Sequence, residues 1–129
     1  MQFGYTIIYV PDVEEALTFY EKAFGIKRRF IHESLQYGEL ETGQTRLAFA
    51  SELLGQTNGV SFRINRKEEP AAGFEIAFVT ADVSHSFTRA IQAGAEKVKS
   101  PTDMPWGQTI AYVRDLNGVL IEICTSMDE

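Results

Sequence analysis

A single cysteine, Cys124, stands in the 129 residues, so neither an intrachain disulfide nor a cysteine-rich zinc site can be assembled from this chain. The thiol reads as a small buried apolar group, since no imidazole is indicated beside it. Histidine is almost as scarce: His32 and His85 have no partner at ligand spacing, and each reads as a surface or structural residue. Basic residues are outnumbered, 12 against 18 acidic, giving a net charge of −6 and a pI near 4.9. That balance repels phosphate backbones. The short runs Lys27-Arg28-Arg29 and Arg66-Lys67 are diluted by neighbouring acids, so no nucleic-acid partner is expected. No apolar stretch approaches the ~20 residues of a membrane helix. The opening Met1-Gln2-Phe3-Gly4-Tyr5 has no basic n-region. No membrane association is expected, and a cytoplasmic location is. GxGxxG, P-loop, HExxH and nucleophile-elbow patterns are all missing.

What is present is the composition of a globular domain, 44% hydrophobic and 23% charged, arranged as a repeat. Tyr5–Ala23 can be laid on Glu75–Ala93 without a gap. Each copy opens on a β-like run, Tyr5-Thr6-Ile7-Ile8-Tyr9-Val10 or Glu75-Ile76-Ala77-Phe78-Val79-Thr80, and then reaches an Asp-Val pair. Asp12 and Asp82 suit helix N-caps, because a carboxylate accepts the free N–H groups of the first turn. Glu15 is placed to complete a capping box with Asp12. Val13, Ala16, Leu17, Tyr20, Ala23 and Phe24 recur at helical spacing before Gly25. Val83, Phe87, Ala90 and Ile91 do so before Gly94. Strand-like segments follow each helix: Lys27–Ser34, Gln36–Glu41 and Thr45–Ala50 in the first copy, Glu96–Val98, Gln108–Val113 and Val119–Thr125 in the second. Ser100–Gly107 reads as a proline-stiffened loop. The pattern is βαβββ written twice, with module one at 1–54, a connector at 55–73 and module two at 74–129. The alternating Val60-Ser61-Phe62-Arg63-Ile64 within the connector is expected to form an extra strand or a packing arm.

The opening Tyr5-Thr6-Ile7-Ile8-Tyr9-Val10-Pro11-Asp12-Val13, with Phe19-Tyr20 and Phe24-Gly25 behind it, resembles the vicinal oxygen chelate superfamily, the glyoxalase/bleomycin-resistance/dioxygenase group. The closing Pro105-Trp106-Gly107-Gln108 and Asp115-Leu116-Asn117-Gly118-Val119-Leu120-Ile121-Glu122 are similar to that family's last hairpin. The resemblance spans nearly the whole chain outside the connector. It implies an α+β fold in which two βαβββ modules form curled mixed sheets around a shared cleft, and it implies a homodimer. It also implies metal ligands from the first and last strands of each module. The matching positions here are Tyr5, a residue in Leu47–Ala48, Glu75 and Glu122.

Only two of those four are carboxylates. A phenol with a pKa near 10 is a poor ligand at neutral pH, and Leu47 or Ala48 offers no donor. No cofactor is therefore expected. A divalent ion, were one to bind, would fall to Glu75 and Glu122. The face shared by Tyr5, Ile7 and Tyr9, together with Trp106, Glu75 and Glu122, reads as a ligand-binding set. Glu122 and Glu75 are the candidate catalytic residues. Glu75, between Phe74 and Ile76, reads either as a base or polar anchor, or as a carboxylate satisfied by a neighbouring strand, Arg46, Arg114 or Gln108. If Glu75 and Glu122 meet without a metal, one should titrate above the ordinary value of about 4.3. The expected function is metal-free binding of a small cationic or aromatic molecule. The alternatives are a glyoxalase-like lyase or isomerase with an altered divalent-metal site, and a non-catalytic structural or interaction module.

Overall fold

The alternation in Tyr5–Val10 buries one side of a strand and leaves the other open. In the computed structural model, which describes residues 1–127, this segment is β1 (Tyr5–Val10), with Ile8 and Val10 buried and Tyr5 and Ile7 exposed. Asp12 then caps α1 (Val13–Phe24), its Oδ1 accepting from the Glu15 N–H at 3.0 Å. The Glu15 carboxylate returns no bond to Asp12, so the expected capping box is a simple cap. Gly25 ends the helix at φ 69°, a left-handed conformation that costs glycine little. The buried stripe Val13, Ala16, Leu17, Tyr20 and Ala23 packs on a sheet completed by β2 (Arg28–Ile31), β3 (Tyr37–Leu40) and β4 (Arg46–Ser51). Its order is β1-β4-β3-β2, with β1 and β4 parallel and the other pairs antiparallel. Gly38 on β3 faces the helix, where a Cβ would stand 2.6 Å from Leu17 Cδ1. The absent side chain is what lets helix and sheet approach. Leu17, Leu40 and Phe49 are wholly buried in this core, and each contributes roughly 1.5–3 kcal/mol of burial.

A short helix not foreseen from the sequence follows, α2 (Glu52–Thr57), capped by the Ser51 hydroxyl through the Leu54 N–H at 3.0 Å. Beyond it, Val60–Ile64 takes no strand pairing. Phe62 stacks on Tyr9 at 4.3 Å and 12°, so this stretch is a packing arm. Residues 1–64 form one compact unit and residues from Asn65 onward a second.

The second unit repeats the topology: β5 (Ile76–Val79), α3 (Val83–Gln92), β6 (Glu96–Asp103), β7 (Thr109–Arg114) and β8 (Leu120–Cys124). The sheet order is β5-β8-β7-β6, with β5 and β8 parallel. Asp82 caps α3 through the His85 N–H at 3.0 Å. Glu75 lies one residue before β5 rather than inside it. The largest departure from expectation is β6, which runs eight residues to Asp103 and absorbs half of the presumed loop, Pro101 included. It is an edge strand paired only with β7, and its register shifts between Lys99 and Thr102. A proline is tolerated there because its missing N–H is not needed on the open side. The β7–β8 turn is organised by buried Asp115, whose Oδ1 accepts the Asn117 and Val119 N–H groups, both at 2.9 Å. The chain is thus α+β, with two open four-stranded mixed sheets, each carrying helix on one face. Among the described residues no helix is long and apolar enough to cross a membrane.

Candidate functional site

Strand periodicity turns Ile76, Phe78, Ile121 and Ile123 to the covered side of the second sheet and Ala77, Val79, Glu122 and Tyr112 to the other. The register places Glu122 opposite Ala77 on β5 and opposite Tyr112 on β7. Glu75, two residues before Ala77, falls on the same side. Glu122 and the Tyr112 hydroxyl are the polar groups that act on its carboxyl. Hydrogen bonding to Glu122, then burial, then repulsion by the Glu122 charge push Glu75 up to about 7, against the opposing pull of Tyr112. Burial first, then the charges of Glu122 and Glu75, push the Tyr112 phenol up to about 12. Cys124, next on the same face of β8, is buried, and that burial followed by Glu122 raises its thiol; its sulfur also reaches the Phe78 carbonyl at 3.8 Å.

The string continues outward. Gln108, which lowers the Cys124 thiol against those effects, donates to the Thr125 carbonyl at 2.8 Å and accepts the Trp106 indole N–H at 3.0 Å. Trp106 is 61% exposed in the turn between β6 and β7, at the end of a polar chain that leads back to the two glutamates. Glu75 is satisfied by its neighbouring strands. Arg46, Arg114 and Gln108, the other partners considered for it, are engaged elsewhere: Arg46 by Glu41 and Glu39, Arg114 by backbone carbonyls and Glu96, Gln108 by Trp106 and the Thr125 carbonyl.

The first sheet uses the same positions differently. By register, Ile7–Ala48–Glu39 is the counterpart of Ala77–Glu122–Tyr112. Ala48 therefore stands where Glu122 does, and Tyr5 where Glu75 does. Tyr5 and Ile7 are exposed on this face, and Tyr9 is half covered by Phe62. The carboxylate here sits one strand over. Glu39, only 6% exposed, accepts from the Tyr37 hydroxyl at 2.7 Å and from Arg29 Nη1 at 3.1 Å, with Arg46 Nε at 3.9 Å. Burial, then the bond to Glu39, pushes the Tyr37 phenol well above its usual range.

Around Glu75, Glu122, Trp106 and the Tyr5 face, the structure adds Tyr112, Arg29 and Glu39, which the sequence did not single out. Their signal was available in part. Tyr37, Glu39 and Glu41 alternate onto one face, as do Tyr112 and Arg114, but only the strand register shows which acids they oppose.

The donors present fit a family-type transition-metal site poorly. Glu75 is pushed up to about 7 beside Glu122, the adjacent phenol and thiol are both raised, and Ala48 has no donor. Among the described residues no group of three or more His, Cys, Asp or Glu side chains could hold an ion. Zinc or nickel is accordingly expected to leave the melting temperature unchanged. A tight ligand at a hundredfold excess over Kd would add about 2.7 kcal/mol. A clear upward shift with nickel that vanishes in Glu122→Gln would overturn this.

Residues 2–123 match the family model described as the Glyoxalase/Bleomycin resistance protein/Dioxygenase superfamily. A 4-hydroxyphenylpyruvate dioxygenase of Dictyostelium discoideum is 29% identical over 77% of this chain. The chain spans only 28% of that relative's length. Among solved structures, a glyoxalase-related enzyme from Fulvimarina pelagi superposes with a TM-score of 0.82 at 20% identity, covering 98% of this chain and 88% of that one. TioX from Micromonospora sp. ML1 gives 0.72 at 22% identity, covering 97% and 98%. At these identities the structural likeness is one of fold.

Proposed function

The chain belongs to the glyoxalase/bleomycin resistance protein/dioxygenase superfamily, and we propose that within it this protein binds a small basic or aromatic molecule without a metal, on the open face of its second sheet. The observation that carries this reading is the placing of the Glu75 and Glu122 carboxyls on one sheet face beside exposed Ala77 and Val79. Near neutral pH Glu75 holds its proton about half the time. An arriving ammonium or amidinium displaces it and receives two carboxylates in exchange, while the Val79 side chain, 66% exposed, offers apolar surface to a flat ring.

Benzamidine supplies a cationic aromatic probe. Its titration is expected to shift the backbone amide signals of Ala77, Val79 and Glu122 saturably, with a Kd on the order of 1 mM or tighter. Affinity should strengthen as pH rises through about 7, where Glu75 ionises. Neutral benzamide should do far less, and Glu122→Gln should abolish the response. Equal shifts with benzamide, or none with either, would count against the proposal.

The same carboxyl supports a second reading, a lyase or isomerase of the glyoxalase kind, because a group titrating near 7 is suited to moving protons at neutral pH. That activity would show as exchange of a carbonyl compound's α-proton for deuterium, lost in both Glu75→Gln and Glu122→Gln.

A further inference from the structure

We infer that the open face of the first sheet carries a separate site for a small oxyanion, a carboxylate or phosphate, gripped by Arg29 and Arg46. A cavity of about 400 Å³ opens there, lined by both arginines, Glu39, Tyr5, Gln2 and Gln44. That volume falls within the range of small-molecule sites. The charged groups of its wall are two guanidiniums and one carboxylate, a net positive lining in a chain whose overall charge is −6.

Glu39 explains how the arginines are held. Burying a carboxylate is costly unless it is paired and hydrogen-bonded, and Glu39 is both: one oxygen takes the Tyr37 hydroxyl, the other faces Arg29 Nη1 and Arg46 Nε. Glu41, more than half exposed and outside the cavity, pairs with Arg46 Nη1 at 2.7 Å and lies 3.9 Å from Arg29 Nε. Arg46 Nη1 also donates to the Gly43 carbonyl. The hydrogen bonds use Nη1 of each guanidinium, and each Nε lies 3.9 Å from a carboxylate. Neither Nη2 donates to any described residue. Each arginine is therefore fixed along one edge with N–H donors to spare, the arrangement that suits forked recognition of a planar oxyanion. The Gln2 and Gln44 amides and the Tyr5 hydroxyl supply further donors around the cavity. The polarity is opposite to that of the glutamate pair on the second sheet, and the site stands on its own observations.

The test is an NMR titration of the full chain, following the arginine Nε–Hε signals in low-salt buffer at neutral pH. Sodium benzoate and inorganic phosphate are the two probes, with sodium chloride matched for ionic strength. At least one probe is expected to shift the Arg29 and Arg46 signals saturably, with a Kd on the order of 1 mM. Saturation by phosphate alone identifies a phosphate-bearing ligand, and saturation by benzoate identifies an organic carboxylate. Arg46→Gln should weaken binding about tenfold or more by removing the fork. Because Arg46 also braces Glu39 and Glu41, Arg29→Lys is the second variant: it keeps the charge on a half-exposed edge position, loses the planar fork, and is expected to weaken binding comparably. Shifts no larger than those of chloride would overturn the proposal. So would undiminished binding in whichever variant retains a folded spectrum.

Discussion

Gly118→Ala is expected to cost about 3 kcal/mol of stability and to detach the turn at residues 66–69 from the second sheet. Gly118 sits at φ 85°, where any other L-residue is strained by roughly 1 kcal/mol. The site is also full. A Cβ there would collide with Arg114 Nη2 and stand 2.7 Å from the Arg66 carbonyl oxygen and 3.0 Å from its carbon. The arginine tip could move, but the backbone of Arg66 could not without giving up the clamp. Arg114 gathers this region: its guanidinium donates to the carbonyls of Gly118 at 2.8 Å, Glu69 at 2.5 Å and Arg66 at 3.4 Å. Overpacking of this kind adds about 1–3 kcal/mol to the backbone strain. Thermal melts should place Gly118→Ala roughly 10 °C below the parent. Gly59→Ala is the control, since Gly59 has a similar φ of 77° but nothing within 4 Å of the added carbon. It should show the strain alone, about 1 kcal/mol. If the two variants melt within a degree or two of each other, the steric account of the Arg114 clamp is wrong.

The repeat was legible because its signals are local. Asp12 and Asp82 cap their helices through the third N–H as their spacing indicated, and Gly25 and Gly94 adopt the positive φ that ends each one. What escaped were features set by partners distant in sequence. Pro101 marks a loop when read along the chain, yet β6 continues through it because β7 supplies the bonds on one side and no strand claims the other. The helix at Glu52–Thr57 contains Gly55 and Thr57, poor helix formers. It stands on the Ser51 cap and on close packing at Gly55, where a Cβ would meet the rings of Phe62 and Tyr9 at 2.6 and 2.8 Å.

The site divides the same way. Glu75 and Glu122 could be paired from the repeat and the strand period alone. Tyr112 could not, because its place opposite Glu122 depends on register across the β7–β8 hairpin. Glu39 was less visible still. A lone glutamate on a short strand resembles a solvated residue until Arg29 and Arg46, from two other strands, close over it. The sequence nevertheless carries the asymmetry that matters. Ala48 and Tyr5 in one copy against Glu122 and Glu75 in the other mean that two sheets of one topology present faces of different chemistry.

Removing Glu122 should drop the proton affinity of Glu75 by more than a hundredfold. In Glu122→Gln, Glu75 loses the hydrogen bond that favours its protonated form and the charge that repels its ionised form, and it gains an amide donor. Its pKa should fall from about 7 towards the ordinary 4.5. Tyr112→Phe should act oppositely and raise Glu75 further, since the phenol hydrogen bond is what lowers it. The consequence for stability follows from the sign of the shift. A carboxyl whose pKa is raised on folding contributes stability below about pH 4.5, and that contribution is lost as pH rises through about 7. Glu75 is exposed, so solvent screening reduces the effect to about 1 kcal/mol. Glu75→Gln should therefore melt higher than the parent at pH 8.5, by a few degrees, and show no such advantage at pH 4. Carboxyl-carbon NMR titrations of the parent and both variants, with melts at the two pH values, check each step. A Glu75 titration left unchanged in Glu122→Gln would show that the two carboxyls do not share a proton in solution. The exchange of that proton for a ligand's cation would then lose its basis, whereas Arg29 and Arg46 on the other sheet would keep theirs.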